Sequence, residues 1–136
     1  VTVSREELQG RATRLRELHH GLAPLILPNA WDVASAQAVE RGGAAAVATS
    51  SSAVAGARGY PDGEAIPVQE LFLLLTAMAV AVDAPLTADL EAGYGLAPEE
   101  LVGRMLAAGV AGVNLEDTDR AAGGASLLTA EEQASG

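Results

Sequence analysis

Four short, largely apolar runs, each followed by a stretch with helical signals, constrain this chain more than any other feature. The runs cover residues 24–27, 44–49, 86–90 and 110–115. Asp32 reads as the N-cap of a helix through Val39, stopped by Gly42 and Gly43. Pro67 opens a helix through Val82, and Pro98 opens another that Gly109 ends. A strand that is apolar on both faces needs cover on both, and intervening helices provide it when the strands run parallel. The pattern therefore predicts an α/β fold: strand then helix, four times, behind one leading helix over residues 4–20. In that leading helix Ser4 and Glu7 form a capping box, Leu8, Leu15 and Leu18 an apolar stripe, and Gly21 the stop. His19 and His20 sit at its C-terminal end, where partial positive charge is favoured, and read as end residues rather than ligands. Thr129 and Glu132 form a second capping box. Residues 50–66 and 118–128 read as two long loops, a length that in compact domains is often functional. Trp31 reads as a core or helix-packing residue.

Composition excludes several functions. With 136 residues the chain suits one domain that can bury a core. Its formal charge is −10, all eight basic residues are Arg, and there is no Cys. An acidic chain lacks the basic patch of a nucleic-acid binder. Without Cys there is neither a disulfide framework nor a thiolate zinc site, and without Lys there is no P-loop. The longest apolar stretch, residues 71–82, falls short of the ~20 needed to span a bilayer, and the polar N-terminus has no signal core. The expectation is a cytoplasmic protein with no membrane or nucleic-acid partner. The charge is also uneven: residues 1–58 carry six Arg and five acids, residues 59–136 two Arg and thirteen acids. An acidic half is either a solvated surface or a holder of a hard cation.

Position narrows that choice. Each apolar run ends in polar residues: Asn29 and Asp32 after the first, Thr49, Ser50, Ser51 and Ser52 after the second, Asp89 and Glu91 after the third, Asn114, Glu116 and Asp117 after the fourth. In parallel α/β folds, ligands bind at this edge of the sheet. Asp89 and Glu91 are two apart, so on an extended backbone they point the same way, and Glu116 ends the next strand. Three convergent carboxylates repel unless a cation sits among them, and oxygen-only ligation suits Mg²⁺ or Mn²⁺. The alternative is that these acids merely cap loops and helices. The serines either bind an anionic group through hydroxyl and N–H donors or form a plain polar loop. No His or Cys accompanies them, which speaks against a Ser-His-Asp hydrolase. Tyr60 and Tyr94 lie in candidate-site loops.

Five segments in order carry a resemblance. They are Leu27-Pro28-Asn29-Ala30-Trp31-Asp32-Val33-Ala34-Ser35-Ala36, Ala48-Thr49-Ser50-Ser51-Ser52, Gly59-Tyr60-Pro61-Asp62-Gly63, Thr87-Ala88-Asp89-Leu90-Glu91-Ala92-Gly93-Tyr94-Gly95 and Gly112-Val113-Asn114-Leu115-Glu116-Asp117. Over about residues 21–133 the chain resembles the isocitrate lyase/phosphoenolpyruvate mutase superfamily, nearest its phosphonomutase-like branch. The resemblance implies a TIM (β/α)₈ barrel and Mg²⁺-dependent lyase or mutase chemistry on small 2-oxo or 2-hydroxy acids, with C–C or P–C bonds cleaved or formed through a pyruvate-type enolate. It implies metal ligation by Asp89, Glu91 and Glu116, with Glu91 standing where the family pattern has a second Asp. It further implies catalytic roles for Ser50, Asp62 and Glu116, and substrate contacts from Thr49, Ser50, Ser51, Tyr94 and Gly95. Lyase members carry a Lys-Lys-Cys-Gly-His loop, and this chain has neither Lys nor Cys. A full barrel takes about 250 residues, so the expected architecture is an N-terminal helix over residues 1–20 and the first half of a barrel over 21–136, in a homo-oligomer. Two other readings stand beside it: an inactive, truncated half-barrel that only self-associates, and a receiver-like flavodoxin domain, whose usual Lys is absent here.

Overall fold

The structure, a computed structural model, describes residues 2–123 and 126–135. Helix α1 (Arg5–His19) leads. Strand β1 (Asn29–Ala30), helix α2 (Val33–Arg41), strand β2 (Val47–Thr49) and helix α3 (Ser51–Ala57) follow, then helix α4 (Val68–Ala81), strand β3 (Leu86–Asp89), helix α5 (Pro98–Ala108), strand β4 (Gly112–Asn114) and helix α6 (Ala130–Ser135). The four strands pair in chain order, all parallel, with Ala30 opposite Thr49, Ala48 opposite Thr87, and Asp89 opposite Asn114. This register brings the C-terminal ends of β2, β3 and β4 to one edge. The predicted α/β class and parallel order hold.

Apolar burial holds the layers together. Helix α4 sits against α2 and α5 and buries Leu71, Phe72, Leu74, Leu75, Met78 and Ala79. From the sheet, Ala30, Val47, Leu86 and Ala88 are fully buried. Helix α1 buries Leu8 and Leu15 and is tied down by Arg11 Nη1, which donates to the Ala79 carbonyl at 2.7 Å. The Glu40 carboxylate accepts the N–H groups of Asp83 and Ala84, both at 2.7 Å, and so fixes the entry to β3 against the end of α2.

Three expectations are corrected. The first apolar run is not the first strand: pairing begins where the Pro28 carbonyl accepts the Ala48 N–H at 3.1 Å, and the strand is the polar-ended Asn29–Ala30. Pro24 and Pro28 bracket the run and have no N–H to donate to a ladder. Residues 50–66 are not one loop, because α3 occupies Ser51–Ala57 with the Ser50 hydroxyl accepting from the Ala53 N–H at 3.4 Å. The serine cluster is a helix cap, and the alanines behind it are strong helix formers. Trp31 is 44% exposed and lies outside the core.

Asp32 caps α2 as predicted: its carboxylate accepts the Ser35 N–H at 2.7 Å, and the Ser35 hydroxyl closes a reciprocal box on the Asp32 N–H. These bonds hold its carboxyl below the usual carboxylate range, the Ser35 N–H first among them. A depressed folded pKa means stability that is full above the unfolded value, ~3.9, and lost as pH falls through the folded one. Asp32→Ala is therefore expected to cost about 1 kcal/mol at pH 7, with the difference from wild type shrinking below pH 4. Urea unfolding across pH checks this; a difference that grows on acidification refutes it.

Candidate functional site

The site is built on the strand ends. Asp89 closes β3, and its N–H donates to the Thr49 hydroxyl at the end of β2, 2.9 Å away. Its Oδ2 accepts the Ser51 N–H at 2.9 Å; its Oδ1 accepts the Asn114 side-chain amide and the Glu91 N–H, both at 3.2 Å. One carboxylate thus ties together three neighbouring strand ends.

Past Asp89 the backbone leaves strand geometry. Glu91 has φ +49°, so strand alternation does not set its direction. The expectation that Asp89 and Glu91 share a face by extended spacing gives way here. Glu91 turns inward until only 2% is exposed. Its oxygens accept the Glu64 N–H at 3.0 and 2.9 Å, the Tyr94 hydroxyl at 3.0 Å and Arg120 Nη2 at 2.7 Å. Glu64 reciprocates: its Oε1 accepts the N–H groups of Ala92 at 3.1 Å and Tyr94 at 2.7 Å. Two turns, distant in sequence, are clamped by each other's carboxylates. Glu64, Glu91 and Tyr94 are also the positive-φ residues other than glycine among the described residues. Such strain persists only where surrounding contacts over-determine it, and it concentrates at ligand and active sites.

Electrostatics at Glu91 are opposed. Burial pushes its pKa up, while the Glu64 N–H, the Tyr94 hydroxyl and the Arg120 charge pull it down; the Asp62 charge raises it further. Burial and the Glu91 charge push the Tyr94 phenol well above its ordinary value, so it stays a donor. Glu116, half-buried beyond β4, accepts the Thr118 hydroxyl at 2.9 Å and the same Arg120 Nη2 at 3.4 Å.

Of the predicted residues, Thr49, Ser51, Asp89, Glu91, Tyr94 and Glu116 join this connected network. Tyr94 enters it as a partner of Glu91. Ser50 stands beside it as the cap of α3. Asp62 and Gly95 are exposed, and among the described residues Asp62 adds charge but no hydrogen bond. Tyr60 lies apart, its hydroxyl donating to Glu70 at 2.9 Å. Glu64 and Arg120 were missed. Arg120 left a signal, being one of two basic residues in the acidic half. Glu64 left none, because its role depends on a left-handed backbone.

Among the described residues no group of three His, Asp or Glu side chains gathers as around a metal ion. The donor atoms are all oxygen, the type a hard divalent cation takes, and Glu91 and Glu116 share one cation, the Arg120 guanidinium. Asp89 Oδ2 has a single partner, and Glu116 Oε1 has none among the described residues.

Comparison with known proteins places these features. The profile of the family described as phosphoenolpyruvate phosphomutase matches residues 15–136. A 2-methylisocitrate lyase of Bacillus subtilis (strain 168) is 35% identical over 118 residues, covering 84% of this chain and 38% of the lyase. A crystal structure of a phosphonomutase candidate from Burkholderia cenocepacia J2315 superposes with a TM-score of 0.81 at 39% identity, over 91% of this chain and 51% of that one. Phosphonopyruvate hydrolase shares the fold, with a TM-score of 0.78 at 22% identity over 93% of this chain and 44% of its own. The chain thus spans between about two fifths and one half of the length of these proteins. No helix among the described residues is long and apolar enough to cross a membrane.

Proposed function

This chain belongs to the phosphoenolpyruvate phosphomutase family, and from that premise we propose that it carries the cation-binding and carboxylate-binding pole of an enzyme acting on a small 2-oxo or 2-hydroxy acid. The reaction class is cleavage or formation of a C–C or P–C bond next to the carboxylate, on a barrel of which this sheet is one half. The observation that carries the reading is Glu91: a carboxylate 2% exposed, held in a strained turn at the C-terminal edge of a parallel sheet. A buried charge in a left-handed backbone has a cost that a purely structural turn would avoid.

Asp89, Glu91 and Glu116 are the residues that would hold Mg²⁺, with Mn²⁺ as a substitute; phosphonopyruvate hydrolase has been crystallised with oxalate and Mg²⁺. When bound, such an ion supplies a Lewis acid that polarises a carbonyl and stabilises negative charge developing on its oxygen. The chain's own groups do the rest. The Ser50 hydroxyl, only weakly engaged at 3.4 Å, donates a hydrogen bond to a substrate carboxylate oxygen. Thr49 and Ser51 orient Asp89 through their bonds to its N–H and carboxylate. Tyr94 keeps its proton and holds Glu91 in place. Asp62, on the turn facing Glu91, adds the negative charge that favours a cation.

Isothermal titration with oxalate, in the presence of Mg²⁺, tests the reading. Wild type is expected to bind, and an Asp89→Ala, Glu116→Ala double variant to lose about tenfold or more in affinity, a change of ~1.4 kcal/mol or more. Equal oxalate affinity in the two proteins overturns it. Light scattering on the same samples addresses the other reading, a non-catalytic self-associating half-barrel, which draws on the exposed Val113 in β4 and Leu115 just after it. A dimer that binds neither ion nor oxalate would favour that reading instead.

A further inference from the structure

We propose that the outward face of helix α4 is a contact through which two copies of this chain pair, antiparallel across a two-fold axis beside Ala77. The inference stands independently of the cation reading above.

The composition of α4 comes first. From Leu71 to Val82 no residue is charged, and Thr76 is the one polar side chain. Its hydroxyl donates to the Phe72 carbonyl at 2.7 Å, so it requires nothing of a partner. The helix already buries six apolar side chains. Outward it still presents Leu73, 62% exposed, and Val80, 40% exposed, with the exposed Ala77 between them. Spacings of four and three residues put these on one stripe. A surface helix normally turns polar residues to water, whereas a helix that is apolar all round is a buried one.

The place of α4 in the fold comes second. Leu22 and Ile26 are exposed ahead of β1, and Val113 and Leu115 at β4, the two edge strands among the described residues. Strands added at those edges would cover them. They would not cover the α4 stripe, because the flanks of α4 are already taken by α2 and α5. Its cover has to come from outside the layer of helices that backs the sheet.

Self-complementarity comes third, and it selects a second copy. An isologous contact needs a patch that matches itself after a half-turn. The stripe runs large, small, large, so an antiparallel copy sets Leu73 against Val80 and leaves Ala77 where the helices come closest. The charged ends match too. Asp32, Arg58 and Glu70 line one end of the groove between α2 and α4, with Arg58 held to Glu70 at 2.9 Å. At the other end Arg41 closes α2 and Asp83 follows α4, both exposed. The half-turn brings Arg58 toward Asp83 and Arg41 toward Asp32, opposite charges in both cases. A parallel copy would instead set Arg58 against Arg58 and Asp83 against Asp83.

Cross-linking and sedimentation test the pairing. The chain has no Cys, so an introduced cysteine reports its own position alone. Ala77→Cys is expected to be joined into a dimer by a short bis-maleimide, and Val102→Cys, on the exposed face of α5, is not. Leu73→Cys mixed with Val80→Cys should link to each other faster than either links to itself. Two helix faces bury less than the ~1,200 Å² at which stable interfaces begin, so sedimentation equilibrium on wild type should show a weak, concentration-dependent dimer. Leu73→Asp should weaken it about tenfold or more, since pairing would then bury an unpaired charge. This position is exposed, and circular dichroism checks that the variant folds. Val113→Lys, at the β4 edge, should leave the dimer unchanged. A wild type that stays monomeric to millimolar concentration overturns the proposal and leaves the α4 face to a different partner. A dimer lost in Val113→Lys but kept in Leu73→Asp overturns it in favour of edge pairing, and so does cross-linking at position 102 that outpaces position 77. Oxalate titration reads none of these outcomes, so failure here is separate from failure of the proposed function.

Discussion

Glu91→Ala is expected to lower the unfolding free energy by about 3–5 kcal/mol, the range seen when one partner of a buried ion pair is removed. The substitution deletes the acceptor of the Glu64 N–H, the Tyr94 hydroxyl and Arg120 Nη2 in one step. Each donor sits in a part-buried setting where water does not simply replace the lost bond. The backbone strain at Glu64, Glu91 and Tyr94 stays, while the bonds that offset it go. With typical domain stabilities of about 5–15 kcal/mol, the variant should lie near the threshold of folding. Glu91→Gln keeps the shape and one acceptor oxygen and should cost distinctly less. Urea unfolding at pH 7 measures both. A loss under 1 kcal/mol for the alanine variant would mean that the clamp between the two turns does not contribute to stability in solution.

Gly109→Ala is the second large effect, and its cause is steric. Gly109 ends α5 in the left-handed conformation, φ +79°, with its N–H bonded back to the last turn. A Cβ there would lie 2.7 Å from Val3 Cγ2, 2.9 Å from Val3 Cβ and 3.3 Å from the Ala79 methyl. The left-handed backbone alone costs a non-glycine residue roughly 1–2 kcal/mol, and overpacking adds about 1–3 kcal/mol. Together they predict a loss of about 2–5 kcal/mol, with the N-terminal segment before α1 pushed off α5. Gly103→Ala is the control of opposite sign. It lies inside α5 with nothing within 4 Å of an added Cβ, so it should stabilise by up to about 1 kcal/mol. Thermal unfolding of the pair decides the matter: equal melting temperatures would refute the steric account.

Much of the fold was legible because its signals are local. The Ser4–Glu7 box, the Asp32 cap, Pro98 and Gly109 mark helix ends within one turn of themselves, and the structure places each where expected. Two of the misreadings share a cause. Residues 24–27 are apolar enough for a strand, yet pairing starts at Pro28, because ladder geometry depends on which N–H and C=O groups meet across strands. The three serines at 50–52 look like loop, yet Ser50 caps a helix, because Ser favours both states and the neighbouring strand decides.

The candidate site divides along the same line. Asp89, Glu91 and Glu116 were legible as acids following apolar runs, since parallel strands expose their C-terminal ends at one edge. The sequence by itself determined the fold class, the alternation of parallel strands with helices and the edge that carries polar groups, because helix and strand periodicities are read within a few residues. Only the tertiary structure decided how those groups are held. Glu64 and Glu91 are 27 residues apart, and Arg120 lies 29 beyond Glu91. Their left-handed turns and shared guanidinium exist only once distant segments offer the hydrogen bonds that hold the strain.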